Sequence, residues 1–309
     1  MDLHQLRILR ELGDLGSVNA VAREMFVSPS AISQHLSQLQ RSVDVPLTRK
    51  DGRSLALTDE GRVLADAGAE IAAVLARARG EISDGSAAHR APVRVAGFHS
   101  IGQTVFAPLL TQEERDLPEL HFFDEDVSQQ QFPALAARYD LVLAHRMRHT
   151  SPWPEGQVAV VPLAFEPLDI ALRTDHELAR FESLDASQVI AEPWVVSRSG
   201  YSPDDVLQTI AATAGRAPTV RHRVNDYATV AALVRAGGCL GILPRYTTRH
   251  AIPETVTLRP IRGLTAGRQI DLLVRAEHLH RASIRDVVEA IRDTVRRIVA
   301  AAPPSESPG

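Results

Sequence analysis

The stretch SPSAISQHLSQLQ, residues 28–40, constrains the fold of this chain more than any other. Ser28 followed by Pro29 marks a helix start: a hydroxyl to cap the free N–H groups, then a residue whose missing N–H costs nothing at the first helical position. From there Ile32, Leu36, Leu39 and Val43 recur at spacings of four, three and four, which stacks them into one narrow apolar stripe. Ser30, Gln34, Ser37 and Arg41 point the opposite way, with Ser33, His35 and Gln38 on the flanks. No acid lies between Glu24 and Asp44. A face that meets only water ordinarily mixes Glu with Lys. This one carries hydroxyls and amides, which donate and accept at base edges, and omits the carboxylates that phosphates repel.

The preceding residues supply the rest of a DNA-binding plan. Leu3, Leu6 and Leu9, with Ile8 and Leu12 adjoining, form a helical pattern closed by Gly13 and Gly16. Ser17 then caps a second helix, VNAVAREMF, whose Val18, Val21, Ala22 and Met25 face inward. Two helices, a short turn and a helix with a polar outer face form a helix-turn-helix, whose last helix reads the major groove near its N-terminus. The candidate DNA contacts on it are Ser28, Ser30, Ser33, Gln34, Ser37, Gln38 and Arg41, with Gln34 and Ser33 as primary base readers. Residues 46–58, PLTRKDGRSLALT, have the pattern of a two-stranded wing turning at KDGR. Arg49, Lys50 and Arg53 at its tip either grip phosphate or a minor groove, or make a solvated charged turn. After a helix-turn-helix the contact reading is favoured.

GSVNAVAREMFVSPSAISQHLSQLQRSVDVPL followed by GRSLALTDEGR closely resembles the N-terminal domain of LysR-type transcriptional regulators. Thr48 stands where that family commonly has a bulky aromatic, and the acid usual near Gln40 is missing; both departures touch local packing and affinity. The resemblance implies double-stranded operator DNA as a partner, with RNA polymerase as a further one.

Bulk charge does not argue for DNA, because the 309-residue chain has a net charge of −4. Residues 1–60 hold seven Lys or Arg against eight Asp or Glu, so any DNA contact comes from local placement. Lys50 is the only lysine, a bias that genomic base composition explains. Hydrophobic and charged fractions of 44% and 23% are those of an ordinary globular protein. One cysteine, Cys239, excludes an internal disulfide framework and suits a reducing compartment. No apolar run is long enough to span a bilayer, and MDLHQLRILRELG contains no apolar signal core. These features predict a cytoplasmic protein without a membrane partner.

Thr58 can cap a long helix whose first turn holds Asp59 and Glu60 at the positive end of its dipole. Leu64, Ala67, Ile71, Leu75, Ala78 and Ile82 follow at alternating spacings of three and four. This seam either packs on its own domain or meets a second helix. The resemblance implies a linker helix that pairs with a second subunit, and a tetramer built from two such dimers. SDGSAAHRAP ends the helix as a hinge. The predicted organisation is a winged helix-turn-helix at 1–58, linker helix and hinge at 59–89, an effector domain at 90–302 and a disordered tail at 303–309.

After residue 92 the pattern becomes strands alternating with helices, which predicts α/β architecture with largely parallel sheets. VRVAG, LHFFD, DLVLA, VAVVPL, LDIAL, PWVVS, TVRHRV, LGILP and QIDLLV read as strands, and the last helix as 279–300. Ser100 reads as the cap of the helix through Phe106 and Leu110. DLVLAH, PLAFEPLDIALRTDHELA, EPWVVS and AGGCLGILPRY resemble, more weakly, the effector-binding part of the same family. The resemblance implies two α/β lobes similar to periplasmic solute-binding proteins: lobe I at 92–164 and 267–300, lobe II at 165–266.

That likeness also nominates a cleft between the lobes. It maps effector contacts onto Phe98, His99 and Ser100, onto Ser128 and Gln129, and onto His145 and Arg146. Arg198, Ser199, Tyr201 and Asn225 complete the set. For each, loop polarity or capping is the competing role. His99, Arg146 and Arg198 point to a polar or anionic small-molecule effector, unless they pair with Asp124, Glu125 or Asp126 and leave a neutral pocket. Cys239 has no histidine nearby in sequence and reads as a buried structural thiol. The glycines around it lack a phosphate-loop ending, and the twelve histidines lack metal-ligand spacing. No nucleophile–base pair emerges, and no cofactor is predicted besides the effector. A ligand-responsive transcription regulator explains every segment, whereas an exported solute-binding protein explains only the lobes.

Overall fold

A computed structural model of the protein describes residues 1–52, 54–82, 91–112, 115–154 and 158–301. Helices α1 (Leu3–Leu15), α2 (Val18–Glu24) and α3 (Pro29–Gln40) precede strands β1 (Thr48–Asp51) and β2 (Ser54–Leu57). Each helix starts where a short polar side chain satisfies a free N–H. Asp2 accepts from Gln5 N at 2.8 Å, Ser17 from Ala20 N at 3.1 Å and Ser28 from Ala31 N at 3.2 Å. Gly16, at φ 68°, stops α1 in the left-handed conformation that glycine adopts without a Cβ penalty. The second helix is shorter than VNAVAREMF suggests. It ends at Glu24, and Phe26 turns the chain at φ 56°. Leu6, Leu9, Leu12, Val21, Ile32, Leu39, Leu47 and Leu57 form one buried core. β1 and β2 pair antiparallel from Thr48↔Leu57 to Asp51↔Ser54, which makes the wing.

The long helix α4 (Asp59–Ile82) is capped by Thr58, whose Oγ1 accepts from Gly61 N at 3.0 Å. Its two halves have different surroundings. Ala65 is buried, and Gly68 lies so close to α1 that a Cβ there would sit 2.7 Å from Leu6 Cβ. Further along, Ile71, Val74, Leu75 and Ile82 are exposed by 46%, 53%, 39% and 82%. Leu64, the first seam position, packs on the winged-domain core, while Ile71, Leu75 and Ile82 are exposed. The hinge segment 83–90 and the tail 302–309 lie outside the described residues.

The C-terminal body begins with β3 (Val93–Gly97), α5 (His99–Leu110), β4 (Leu120–Asp124), α6 (Phe132–Leu135), β5 (Leu141–Met147) and β6 (Ala159–Arg173). There follow α7 (Ala186–Val189), β7 (Pro193–Val196), α8 (Ser202–Ala214), β8 (Thr219–Arg223), α9 (Tyr227–Ala236) and β9 (Gly241–Pro244). β10 (Val256–Arg259), β11 (Gly267–Val274) and α10 (Ala282–Ala300) complete it, with a short 3-10 turn at Ala276–His280 before α10. Strand order is β10-β6-β11-β5-β3-β4, with β9 also on β6 and β7–β8 as a separate pair.

The sheets are less parallel than the strand–helix alternation suggests. β3–β4, β3–β5 and β7–β8 are parallel, but β11 pairs antiparallel with β5 and β6, and β6 with β9 and β10. VAVVPL and LDIAL, read as two strands, are one fifteen-residue strand. Pro162 does not break it because it sits beside the register shift opposite Ile270 and Asp271, and Pro167 lies at the end of the β11 pairing. A bulge and a ladder end are places where a missing N–H is tolerated. β6 contributes to three cores, the smallest formed by Ala171 with Val195, Val230, Val234 and Leu243. Val161 and Leu163 pack on a core containing Val95, Leu143, Ile284 and Ile291 (lobe I). Leu168, Ile170 and Leu172 join one containing Trp194, Leu207 and Ile242 (lobe II).

Candidate functional site

The outer row of α3 is presented as the helical spacing requires. Ser28, Ser30, Ser33, Gln34, Ser37 and Arg41 are exposed, and the hydroxyls of Ser28 and Ser30 lie 2.9 Å apart. Gln38 is turned instead toward α1, where it accepts from the Gln5 amide at 3.3 Å, and His35 packs edge-on against His4 with centroids 4.9 Å apart. Arg49 and Lys50 are exposed on β1 beside the wing turn. Arg53 lies outside the described residues.

In the C-terminal body, the residues after β3 divide between a buried group and an exposed group, both at the boundary of the two lobes. Phe98, not Ser100, occupies the N-cap position of α5, and it makes no side-chain cap bond. Ser100 sits in the first turn with its hydroxyl directed inward. Its Oγ lies 3.1 Å from Arg268 Nη2 and 3.2 Å from Thr247 Oγ1. Arg268 and Glu166 are 1% and 0% exposed at the side chain and pair at 2.8 and 3.0 Å. Glu166 also accepts the backbone N–H groups of Tyr246 and Thr247 at 2.9 and 2.6 Å. The guanidinium lies 4.6 Å from the centroid of the Phe98 ring. A buried ion pair is tolerated only when its polar atoms are satisfied in this way.

His145, on β5, completes the buried group. Its ring packs against Phe98 and Phe132 at 4.7 and 5.2 Å, and its Nδ1 lies 3.3 Å from Ser202 Oγ in lobe II. Burial, and secondarily the Arg268 charge, hold its pKa well below the ordinary 6.5, so the ring is neutral near pH 7. The unfolded chain, in contrast, protonates this ring as pH falls below about 6.5. His145 therefore makes stability fall with acidification, by up to about 1.4 kcal/mol per pH unit below that value. Urea unfolding at pH 7 and pH 5 should show this slope, and His145→Asn should flatten it; an unchanged slope in the variant excludes His145 as its source.

Arg146 follows His145 on the same strand and so points to the opposite face. Its Nε donates to Asp271 at 3.1 Å, alongside Trp153 Nε1 at 2.7 Å. In the exposed group, His99 lies 2.8 Å from Asp124 and 3.6 Å from Asp226, and the Arg198 guanidinium lies 3.5 Å from Asp126. Each of the three basic groups nominated for an anion thus has a carboxylate partner, so an anionic effector would have to displace an internal acid. Arg198 also stacks over Tyr201 at 5.6 Å and donates its backbone N–H to Asn225 at 3.0 Å. Ser199 is exposed beside them. Ser128 forms a capping box with Gln131, and Gln129 Oε1 accepts from Met147 N at 3.3 Å, so both have structural roles.

The contacts Ser100–Thr247, His145–Ser202, His99–Asp226 and Asp126–Arg198 all run from lobe I to lobe II. Sequence reasoning overlooked Glu166, Arg268 and Thr247. The available signal was a charge inside otherwise apolar strands, in AFEPLDIAL and GRQIDLLV, since a charge at such a position needs an opposite partner.

A winged helix-turn-helix carried by a long helix ahead of an α/β body is the architecture of a DNA-binding transcription regulator. The profile for the bacterial regulatory helix-turn-helix protein, lysR family, matches residues 3–62, and that for the LysR substrate binding domain matches 86–296. The chain belongs to the LysR family of transcription regulators. It is 28% identical to the small neutral protease regulatory protein of Streptomyces coelicolor, over 84% of this chain and 82% of that one. It is 25% identical to the regulator TtuA of Agrobacterium vitis, over 82% and 83%. Among solved structures, a full-length OxyR variant of Pseudomonas aeruginosa superposes with a TM-score of 0.69 at 17% identity, over 99% of both chains. Full-length CbnR complexed with its target DNA gives 0.53 at 18% identity, over 95% of this chain and all of that one.

Proposed function

We propose that this LysR-type regulator binds double-stranded operator DNA through α3 and the wing, as a dimer or higher oligomer joined along α4. A small polar molecule between the lobes modulates that binding or the resulting promoter activation, in which RNA polymerase is the further partner. The outer row of α3 carries the DNA reading: hydroxyls, an amide and Arg41 are exposed together with no acid among them. Gln34→Ala should weaken operator binding by about 1–3 kcal/mol and relax preference at one position of each half-site. Arg49→Ala should weaken binding to all sequences and reduce the salt dependence. Equal retention of operator and random duplex by the wild-type protein would overturn this reading.

The four interlobe contacts support the effector reading, because a ligand shifts an equilibrium only by favouring one of two arrangements. A molecule that replaces those contacts has that leverage. With His99 and Arg198 already paired to acids, a polar compound that both donates and accepts fits better than a simple anion. A thermal-shift screen of polar metabolites on the full chain, repeated with Ser100→Ala and Ser199→Ala, tests the site. Stabilisation that persists undiminished in both variants places the ligand elsewhere.

A further inference from the structure

The winged domain is held by more than its linker helix. α4 runs along the turn Ala276–His280, and α1 approaches α6. Between them lies a charged and largely buried contact. Arg275, 6% exposed, donates to the two carboxylate oxygens of Glu11 at 2.5 and 2.9 Å and to Asp14 at 2.9 Å. Glu11 is 1% exposed. Arg10 donates to Glu277 at 2.7 Å. On the adjoining edge Glu24 of α2 lies 4.0 Å from Arg94 and 3.9 Å from Arg138. Every one of these pairs joins the winged domain to lobe I.

Charges removed from water cost several kcal/mol each unless paired, so a dock built from them is specific in geometry. It is also reversible, because on opening water rehydrates both sides, which an apolar interface would resist. The position of Arg275 adds a second property. It directly follows β11, and Arg268 sits near the other end of that strand, roughly 23 Å away at 3.3 Å per residue. Arg268 contacts Ser100 in lobe I and Thr247 in lobe II, and β11 is hydrogen-bonded to β5 on one side and β6 on the other.

We infer that Arg275, with Glu11 and Asp14, is an intrachain lock that fixes the winged domain against lobe I, and that β11 couples this lock to the interlobe cleft. The lock stands without the proposed effector site; only the coupling rests on that reading. Opening the lock frees the winged domain to change its orientation on DNA.

Hydrogen exchange of the full chain tests both parts. The single 3-10 turn Ala276–His280, with bonds such as His278 N–H to Arg275 C=O at 2.9 Å, opens readily by itself, so slow exchange there reports the dock. Arg275→Gln should speed exchange at 276–281 at least tenfold. Glu11→Gln, which leaves Asp14 for Arg275, should act less, and the double variant should be no worse than Arg275→Gln alone. Glu11 lies in another domain, so this non-additivity would not arise from damage to the lobes. Full additivity, or unchanged exchange in Arg275→Gln, overturns the lock. Thr247→Val, which removes a hydroxyl between the lobes, should raise exchange at 276–281 about threefold in the wild-type background and add nothing to Arg275→Gln. No change in the wild-type background overturns the coupling and leaves the lock standing.

Discussion

Replacing Ile71 and Leu75 together with Asp is expected to abolish operator binding by the full chain while both folded domains persist. These side chains are 46% and 39% exposed, and neither belongs to the winged-domain core. Asp there meets water in the isolated chain and costs its fold little. In a pair of α4 helices related by two-fold symmetry, the same positions appear twice. Fully burying an exposed Leu or Ile contributes about 1.5–3 kcal/mol; with less than half of each side chain still exposed, four sites lose roughly 2–5 kcal/mol of association free energy. Helix-turn-helix dimers bind two half-sites one helical turn apart, so a lone winged domain retains only a fraction of the affinity. Light scattering should show monomers and a gel-retardation assay no specific shift. A variant that stays dimeric, or a wild-type protein that is monomeric at working concentration, would sink the assembly reading.

Glu166→Ala should cost the effector domain about 3–5 kcal/mol, the range for breaking a buried ion pair by removing one partner. The side chain of Arg268 is 1% exposed and would be left charged without its carboxylate. The N–H groups of Tyr246 and Thr247 would lose their acceptor as well. Glu166→Gln keeps an acceptor and should cost less. Glu166→Ala with Arg268→Met removes both charges and should recover part of the loss, which separates an unpaired charge from a simple cavity. Urea unfolding measures all three. A loss under about 1 kcal/mol in Glu166→Ala would show that water reaches the pair.

The DNA-binding half was largely legible because its determinants are local. Ser17, Ser28 and Thr58 each bond an N–H three residues on, and the Ile32–Leu39 stripe follows from helix geometry alone. The α/β class of the C-terminal body was legible for a similar reason, since strand and helix periods differ. Strand pairing was not. VAVVPL and LDIAL merge into β6 because β11, about a hundred residues later, pairs with its first part and β9 and β10 with its second, the register shift falling on β6 beside Pro162. The same limit applied to the contacts at the lobe boundary. Ser100 looks like a cap in sequence, yet its hydroxyl is claimed by Arg268 and Thr247. His145 and Arg146 are neighbours in the chain, but strand parity sends one to Ser202 and the other to Asp271. Whether a basic side chain is free for a ligand depends on which acid arrives beside it. For His99, Arg198 and Arg268 those acids are Asp124, Asp126 and Glu166, brought by other segments. A sequence shows which side chains can carry charge; only the packed structure decides which charges are already satisfied, because that depends on partners distant in the chain.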